Sequence, residues 1–226
     1  MYSRALITLG GSISRIADQH FAAVLPSTRS ETLAIIGTPS GAPSITEKLS
    51  EFRQYDVVVA IGFAGALARE IQIGDIIIPT SACDYVTSDG RVQHANLELS
   101  SHLAESFGRV AALHVGGIGT VRTIVRRGDA HASALLNQGL LAVEMELACL
   151  FGHLTDAGRR VAAILVCSDH VFQAPLPDVI TGIRVGLPLA PRALAATTLS
   201  LDTAIEFLIG YGTCEVGGVG GVAKAQ

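Results

Sequence analysis

No apolar run in the 226 residues approaches the roughly 18 needed to cross a bilayer, and the opening Met1-Tyr2-Ser3-Arg4-Ala5 lacks the apolar stretch and cleavage site of a signal peptide. A soluble, cytoplasmic chain with no membrane partner is therefore expected. Basic clusters are equally scarce. The 16 Lys and Arg are outnumbered by 20 Asp and Glu, the formal net charge is -4, and adjacent basic residues occur only at Arg126-Arg127 and Arg159-Arg160. That balance argues against a nucleic-acid surface. The four cysteines, Cys83, Cys149, Cys167 and Cys214, are widely separated and read as free thiols, mostly buried, rather than disulfides or metal ligands. The seven histidines form no H-x-x-x-H pair with a neighbouring Glu, so neither a metal nor another cofactor is expected. No Pro/Ser-rich linker divides the chain, which predicts one domain over residues 1–209.

What the sequence does contain is apolar residues, 49% of the total, and 24 glycines. Short apolar runs alternate with amphipathic segments. Arg4–Leu9 reads as a strand ending in Gly10-Gly11, Thr32–Ile36 as a second ending in Gly37, and Asp56–Ile61 as a central strand ending in Gly62-Phe63-Ala64-Gly65. Runs apolar on both faces suit strands buried under helices on each side. A helix is predicted from Ser44 to about Phe52, with Ser44 and Glu47 at capping-box spacing. Further along come a strand at Ile76–Pro79, a helix from about Ser100 to Phe107, a strand at Ala111–Val115 ending in Gly116-Gly117, a helix from about Val143 to Asp156, the strand Val161–Cys167, a Pro-containing loop from Gln173 to Pro177, and a last helix from roughly Pro191 to Ile209. This order predicts an α/β fold, a three-layer α/β/α sandwich around a mostly parallel mixed sheet. Residues 210–226 hold six glycines and few core-forming side chains, and a disordered tail is expected there.

Two segments concentrate the chemistry. Val143-Glu144-Met145-Glu146-Leu147-Ala148 presents two carboxylates where a helix is expected to open, and Ser168-Asp169-His170 places a third where a strand runs out. Open α/β sheets bind their ligands at that end of the strands. Ser168, Asp169 and His170 do not form a relay, because neighbours on an extended segment point to opposite sides. His170 reads as a structural residue.

With Val59–Leu67, Ile73–Pro79 and the Ser40-Gly41-Ala42-Pro43-Ser44 turn, these segments resemble, in order and spacing, the purine/uridine phosphorylase family, which also contains nucleoside hydrolases. The resemblance implies a phosphorylase/hydrolase-like fold that cleaves the N-glycosidic bond of a nucleoside. Glu146 matches the Glu that grips the ribose hydroxyls, where a carboxylate both orients the sugar and opposes the positive charge that grows on it. Met145 matches the residue packed beneath the sugar, and Glu144, the first acidic position, is expected at the ribose site or in its support. Asp169 matches the acid of the purine-cleaving members, suited to protonating N7 as the base leaves. Phe172, Phe63 and Ile124 are the candidates for contacting the base.

The phosphate site departs from the family pattern. Gly11 and Arg15 keep the spacing of the phosphate loop without its Asp-Pro, and Gly62 marks the central turn. Ala60 stands where phosphorylases carry a second arginine, and Phe63 where they carry a hydroxyl. Each replacement removes a hydrogen bond to a charged ligand, of the kind worth about 1.5–3 kcal/mol, unless Arg29, Arg122, Arg126 or a neighbouring subunit compensates. The hydrolases carry an acidic residue soon after the first strand, and Leu9–Ser14 has none. The expectation is phosphorolysis of a purine-type nucleoside, with inorganic phosphate as co-substrate. Hydrolysis at the same site and a catalytically silent nucleoside-binding homologue are the alternatives. By resemblance the chain is also expected to form a homo-oligomer, a dimer or a trimer of dimers.

Overall fold

A computed structural model describes residues 5–10, 33–38, 49–86, 90–108, 112–125, 129–172 and 191–214. The expected turn at Ser40–Ser44, the loop from Gln173 to Pro177 and the chain beyond Cys214 lie outside them, as do Gly11, Arg15, Arg29 and Arg126.

Among the described residues, strands and helices follow in the order β1 (Ala5–Gly10), β2 (Leu33–Thr38), β3 (Val57–Ala66), β4 (Ile76–Asp84), β5 (Val92–His94), α1 (Leu97–Phe107), β6 (Leu113–Thr120), α2 (Ala130–Asn137), β7 (Ala142–Glu144), α3 (Leu147–Asp156), β8 (Arg160–His170) and α4 (Pro191–Cys214). The sheet is mixed. Strand β1 pairs parallel with β2 and β3, β3 parallel with β8, β4 parallel with β6, and β6 parallel with β7. Antiparallel ladders join β3 to β7, β4 to β5 and β4 to β8. The path β3–β8–β4–β6–β7 returns to β3, so part of the sheet closes on itself as a distorted barrel. Closure removes exposed edges from that part.

The two-faced strands sit where their composition requires. Val57, Val59 and Ile61 of β3 and Ala162, Ile164 and Val166 of β8 pack with Leu99, Leu103 and Phe107 of α1 and with Ala193, Leu201 and Ala204 of α4. Alternate residues, Val58, Ala60, Val161, Ala163 and Leu165, pack on the other face against Leu150, Phe151 and Leu154 of α3 and against Leu49 and Phe52. Side chains on successive strand residues point to opposite faces. Helices therefore cover both faces, and the three-layer arrangement holds.

Several boundaries differ from the sequence reading. Strand β3 continues through Gly62–Gly65 to Ala66 instead of ending there, because β8 pairs with it to the end. Strands β4 and β6 likewise run on, β4 to Asp84 and β6 through Gly116-Gly117 to Thr120, since each is the other's ladder partner. Helix α1 starts at Leu97, where the Asn96 side chain accepts from Leu99 N at 2.8 Å as an N-cap. The helix expected from Val143 starts at Leu147 instead. Val143 and Glu144 form β7, held by Gly65 on one side and by Gly119 and Thr120 on the other. Helix α4 passes Ile209 and includes Gly210–Cys214, so the backbone of the expected tail begins as helix despite its glycines.

One hook anchors the start of β4. Gly74 has φ 88, a conformation that favours glycine, and its N–H donates to Cys167 O at 2.8 Å. Next to it, buried Asp75 accepts from Gln72 N at 2.9 Å, contacts His114 Nε2 at 3.0 Å and Arg192 Nη2 at 3.2 Å, and so ties β4 to β6 and α4.

Candidate active site

The two chemistry-bearing segments meet at Gly65. Across the β3–β8 ladder Gly65 pairs with Asp169, and across the β3–β7 ladder it pairs with Val143, which leads directly into Glu144, Met145 and Glu146. A shift of register places Ala64 opposite Cys167 but Gly65 opposite Asp169, so Ser168 is the extra residue of a bulge. Bulges re-aim side chains at strand ends. Here Ser168 Oγ donates its one proton to Asp169 Oδ1 at 2.7 Å, with Ala64 O at 3.4 Å as the more distant acceptor. Gly65 has no side chain in the way. An added Cβ would lie 3.2 Å from Asp169 Oδ2.

Glu144 is buried and fully engaged. One of its carboxylate oxygens accepts from the Thr120 hydroxyl, and the other accepts from Glu146 N at 2.6 Å and Leu147 N at 2.8 Å. Burial first, and the nearby Glu146 charge second, push its carboxyl up to about 8, against the opposing effect of the Thr120 hydroxyl and the two backbone N–H groups. The carboxylate thus serves the start of α3, directly beside Met145 and Glu146. Glu146 is the N-cap residue of α3, and its own side chain makes no cap hydrogen bond. It is half-buried, as is Met145.

Met145 and Phe172 pack against one small cluster, Leu67, Val121, Ala132, Leu135, Val143 and Val171, together with Val125 and Tyr85. Met145, Phe172 and the end of β8 are therefore brought together. Ile124 is half-buried beside Val125 in the chain and is not among the side chains of that cluster. Phe63 packs elsewhere, against the core under α1 and α4, with Ile73 and Leu113 among the other half-buried members. Its register partner on β8 is Val166, not Asp169. This places Phe63 in a different cluster from Met145 and Phe172. Tyr85, which the sequence reading did not select, is an aromatic residue in the Met145 cluster; its hydroxyl hydrogen-bonds Gln138 Oε1, and burial raises its phenol to about 12. No local motif marks it, because it follows β4 and reaches the cluster only through the fold.

His170 is buried, its Nε2 3.1 Å from Ala68 O, while its Nδ1 accepts from Phe172 N at 3.4 Å. Those bonds fit the structural role expected of it. Cys167 is a buried free thiol pushed up to about 12 by burial and by Asp169, and it is poorly suited to act as a nucleophile.

On the nucleophile side, Ala60 is buried in the core and Gly62 lies within β3, where an added Cβ would be 3.3 Å from Leu165 Cδ2. Gly62 is consequently part of a continuous strand rather than a free turn. Strand β1 accompanies β3 only as far as Ile61, and β7 joins it at Gly65. Among the described ladders, Gly62, Phe63 and Ala64 therefore have a neighbour on the β8 side alone. Arg122 is exposed and donates from Nη2 to Val86 O at 3.3 Å. Among the described residues, no group of three or more His, Cys, Asp or Glu is arranged to hold a metal ion, and no helix is long and apolar enough to cross a membrane.

Comparison with known proteins decides the family. Residues 22–181 match the model of the phosphorylase superfamily. The chain belongs to the phosphorylase superfamily. The match includes Gly62, Ile124, Glu144–Glu146, Asp169 and Phe172, and it begins after Gly11 and Arg15. A DeoD-type purine nucleoside phosphorylase of Hahella chejuensis is 30% identical over 155 residues, covering 64% of this chain and 66% of the relative. Another from Bacillus cereus is 29% identical over 156 residues with the same coverage. The chain thus spans just under two thirds of the length of these relatives. Among solved structures of the superfamily, a uridine phosphorylase from Vibrio fischeri superposes with TM-score 0.72 at 19% identity, covering 91% of each chain. The futalosine hydrolase of Helicobacter pylori superposes with TM-score 0.73 at 13% identity, covering 90% of this chain and 98% of that one. These two similarities establish the fold.

Proposed function

We propose that this member of the superfamily cleaves the N-glycosidic bond of a purine-type nucleoside, with phosphate as the attacking group, releasing the free base and pentose 1-phosphate. The observation that carries the reading is the pairing of Gly65 with both Asp169 and Val143, which sets an acid and the Glu146 segment on two sides of one glycine. In this mechanism Glu146 holds the ribose hydroxyls and faces the positive charge that develops on the sugar. Met145 packs against the sugar, and Asp169, oriented by Ser168, delivers a proton to N7 as the bond to the base breaks. Phe172 and Ile124 border the base. The nucleophile approaches the stretch of β3 from Gly62 to Ala64, and Gly11 and Arg15, which precede the matched span, are the proposed phosphate ligands. Purine preference is supported by the acid at position 169 and by the purine nucleoside phosphorylases among the relatives. No cofactor is proposed, the site works in a cytoplasmic homo-oligomer, and the partners are the nucleoside and phosphate.

A hydrolytic reading has its own support. Ala60 is buried in the core and Phe63 packs under α1 and α4, so neither position presents a phosphate ligand. Water would then occupy the same place. Incubating the protein with a purine nucleoside, with and without phosphate, and measuring free ribose against ribose 1-phosphate separates the two. Base release that is equally fast without phosphate, with free ribose as the product, rules out phosphorolysis.

A further inference from the structure

Helix α3 is capped in an unusual way. Its N-cap residue is Glu146, yet the Glu146 side chain makes no cap hydrogen bond. The first N–H groups of a helix have no intrahelical partner and need acceptors from elsewhere. Here Glu146 N and Leu147 N donate to one oxygen of Glu144, two and three residues back on β7. Ala148 N donates to Thr120 Oγ1 at 2.9 Å, from the neighbouring strand β6. The Thr120 hydroxyl in turn donates to the other Glu144 oxygen. Thr120 and Glu144 are ladder partners, and both are buried. Two strand residues therefore satisfy three consecutive N–H groups, where the usual N-cap side chain satisfies one.

We infer that Thr120 and Glu144 form a buried two-residue cap that fixes the backbone of Glu146 and so positions Glu146 as the sugar ligand. Thr120 and Glu144 are positioning residues, and Glu146 is the residue that touches substrate. The inference rests on the proposed nucleoside cleavage for its kinetic consequence and on the hydrogen bonds alone for its structural one. Its chemistry is specific. The Thr120 oxygen must accept from Ala148 N while its proton goes to Glu144, so serine retains the function and valine, of similar shape, cannot supply it. Alanine at position 144 removes the acceptor of Glu146 N and Leu147 N, whereas glutamine, which like the protonated acid offers one donor and one acceptor, can keep both contacts with the Thr120 hydroxyl turned to accept.

The test compares the wild-type protein with T120S, T120V and E144A on a purine ribonucleoside and on its 2′-deoxy counterpart, which lacks a hydroxyl that Glu146 would hold. T120V and E144A should each lower kcat/KM for the ribonucleoside about tenfold or more, the scale of one buried backbone N–H left without its acceptor. The 2′-deoxynucleoside should lose less, so the preference between the two sugars narrows, and T120S should restore both. Amide hydrogen exchange over Glu146–Ala148 is measured on the same proteins. Protection there should fall in T120V and return in T120S. An unchanged sugar preference in a folded T120V, or unchanged protection at Glu146–Ala148, overturns the inference. If the wild type cleaves neither nucleoside, the proposed activity fails, and the exchange measurement still decides the cap.

Discussion

Gly65 and Asp169 face each other across the β3–β8 ladder, so closely that a methyl group on Gly65 would stand 3.2 Å from the Asp169 carboxylate and 3.5 Å from Val171 Cγ2. The glycine is therefore what leaves room for the acid. In Gly65→Ala the carboxylate must move by a few tenths of an ångström, and turnover should fall about tenfold or more, because small misplacements of a reacting group are costly. Gly117→Ala is the matched control. Its methyl group meets Ser81 Oγ at 3.3 Å and Leu140 Cδ2 at 3.4 Å and should act mainly on stability. Steady-state kinetics with thermal melts on both variants checks the contrast.

Asp169→Asn keeps the shape of the side chain and removes the proton. Turnover of a purine nucleoside should drop by about 10²–10⁴-fold, the usual contribution of a positioned acid or base. Binding of the nucleoside, measured by calorimetry, should survive. Full activity in the variant would remove Asp169 from the chemistry, and activity that disappears while binding survives would exclude a silent binding protein.

Glu144 predicts a pH dependence of stability. Its carboxyl is raised by burial from an ordinary 4.5 to about 8 in the folded protein, with Glu146 as the charged neighbour that adds to the rise. Between those values the folded state holds the proton that the unfolded chain releases. The contribution of this group is thus fully present below about 4.5 and is lost as the pH rises through about 8. Urea midpoints taken across that window should fall with rising pH, and Glu144→Gln should flatten the slope. A slope identical in the variant would mean that another group is responsible.

Asp75 is the structural counterpart of these site carboxylates. It is buried at 3% exposure and ties Gln72, His114 and Arg192 together, whereas Arg192 has 60% of its side chain exposed. Asp75→Ala should therefore destabilise the fold by about 3 kcal/mol, as expected when a buried charged group and its partners are separated. Arg192→Ala should cost about 1 kcal/mol or less, because an exposed partner is well solvated. Equilibrium denaturation of the two variants measures the difference.

The sequence made the layers of the fold legible because strands such as Asp56–Ile61 and Val161–Cys167 are apolar on both faces, and the three-layer reading follows from that alone. It did not reveal β5 or β7, each of three residues, since strands so short carry no period of their own. The same limit explains the misplaced start of α3. Val143 and Glu144 look like a helix opening in isolation, and only the ladders to Gly65, Gly119 and Thr120 draw them into the sheet. Met145 and Asp169 are singled out by the family pattern, and Phe172 by its place just beyond the Ser168–His170 segment. Thr120 and Tyr85 were not, because one acts through a ladder partner 24 residues away and the other reaches its cluster from the end of β4. The packing of Phe63 is set by the sheet and not by its motif. An aromatic residue beside a central glycine invites a role at the base, yet the alternation of β3 turns it toward the core under α1 and α4.

The central claim is that Asp169 and Glu146 act together on one purine nucleoside. The most direct measurement is release of free base from a purine ribonucleoside by wild type, Asp169→Asn and Glu146→Gln, followed chromatographically with phosphate present and absent. The account predicts rapid release by the wild type with ribose 1-phosphate as co-product, and loss of release in both variants. No release by the wild type at saturating nucleoside, under either condition, would contradict it.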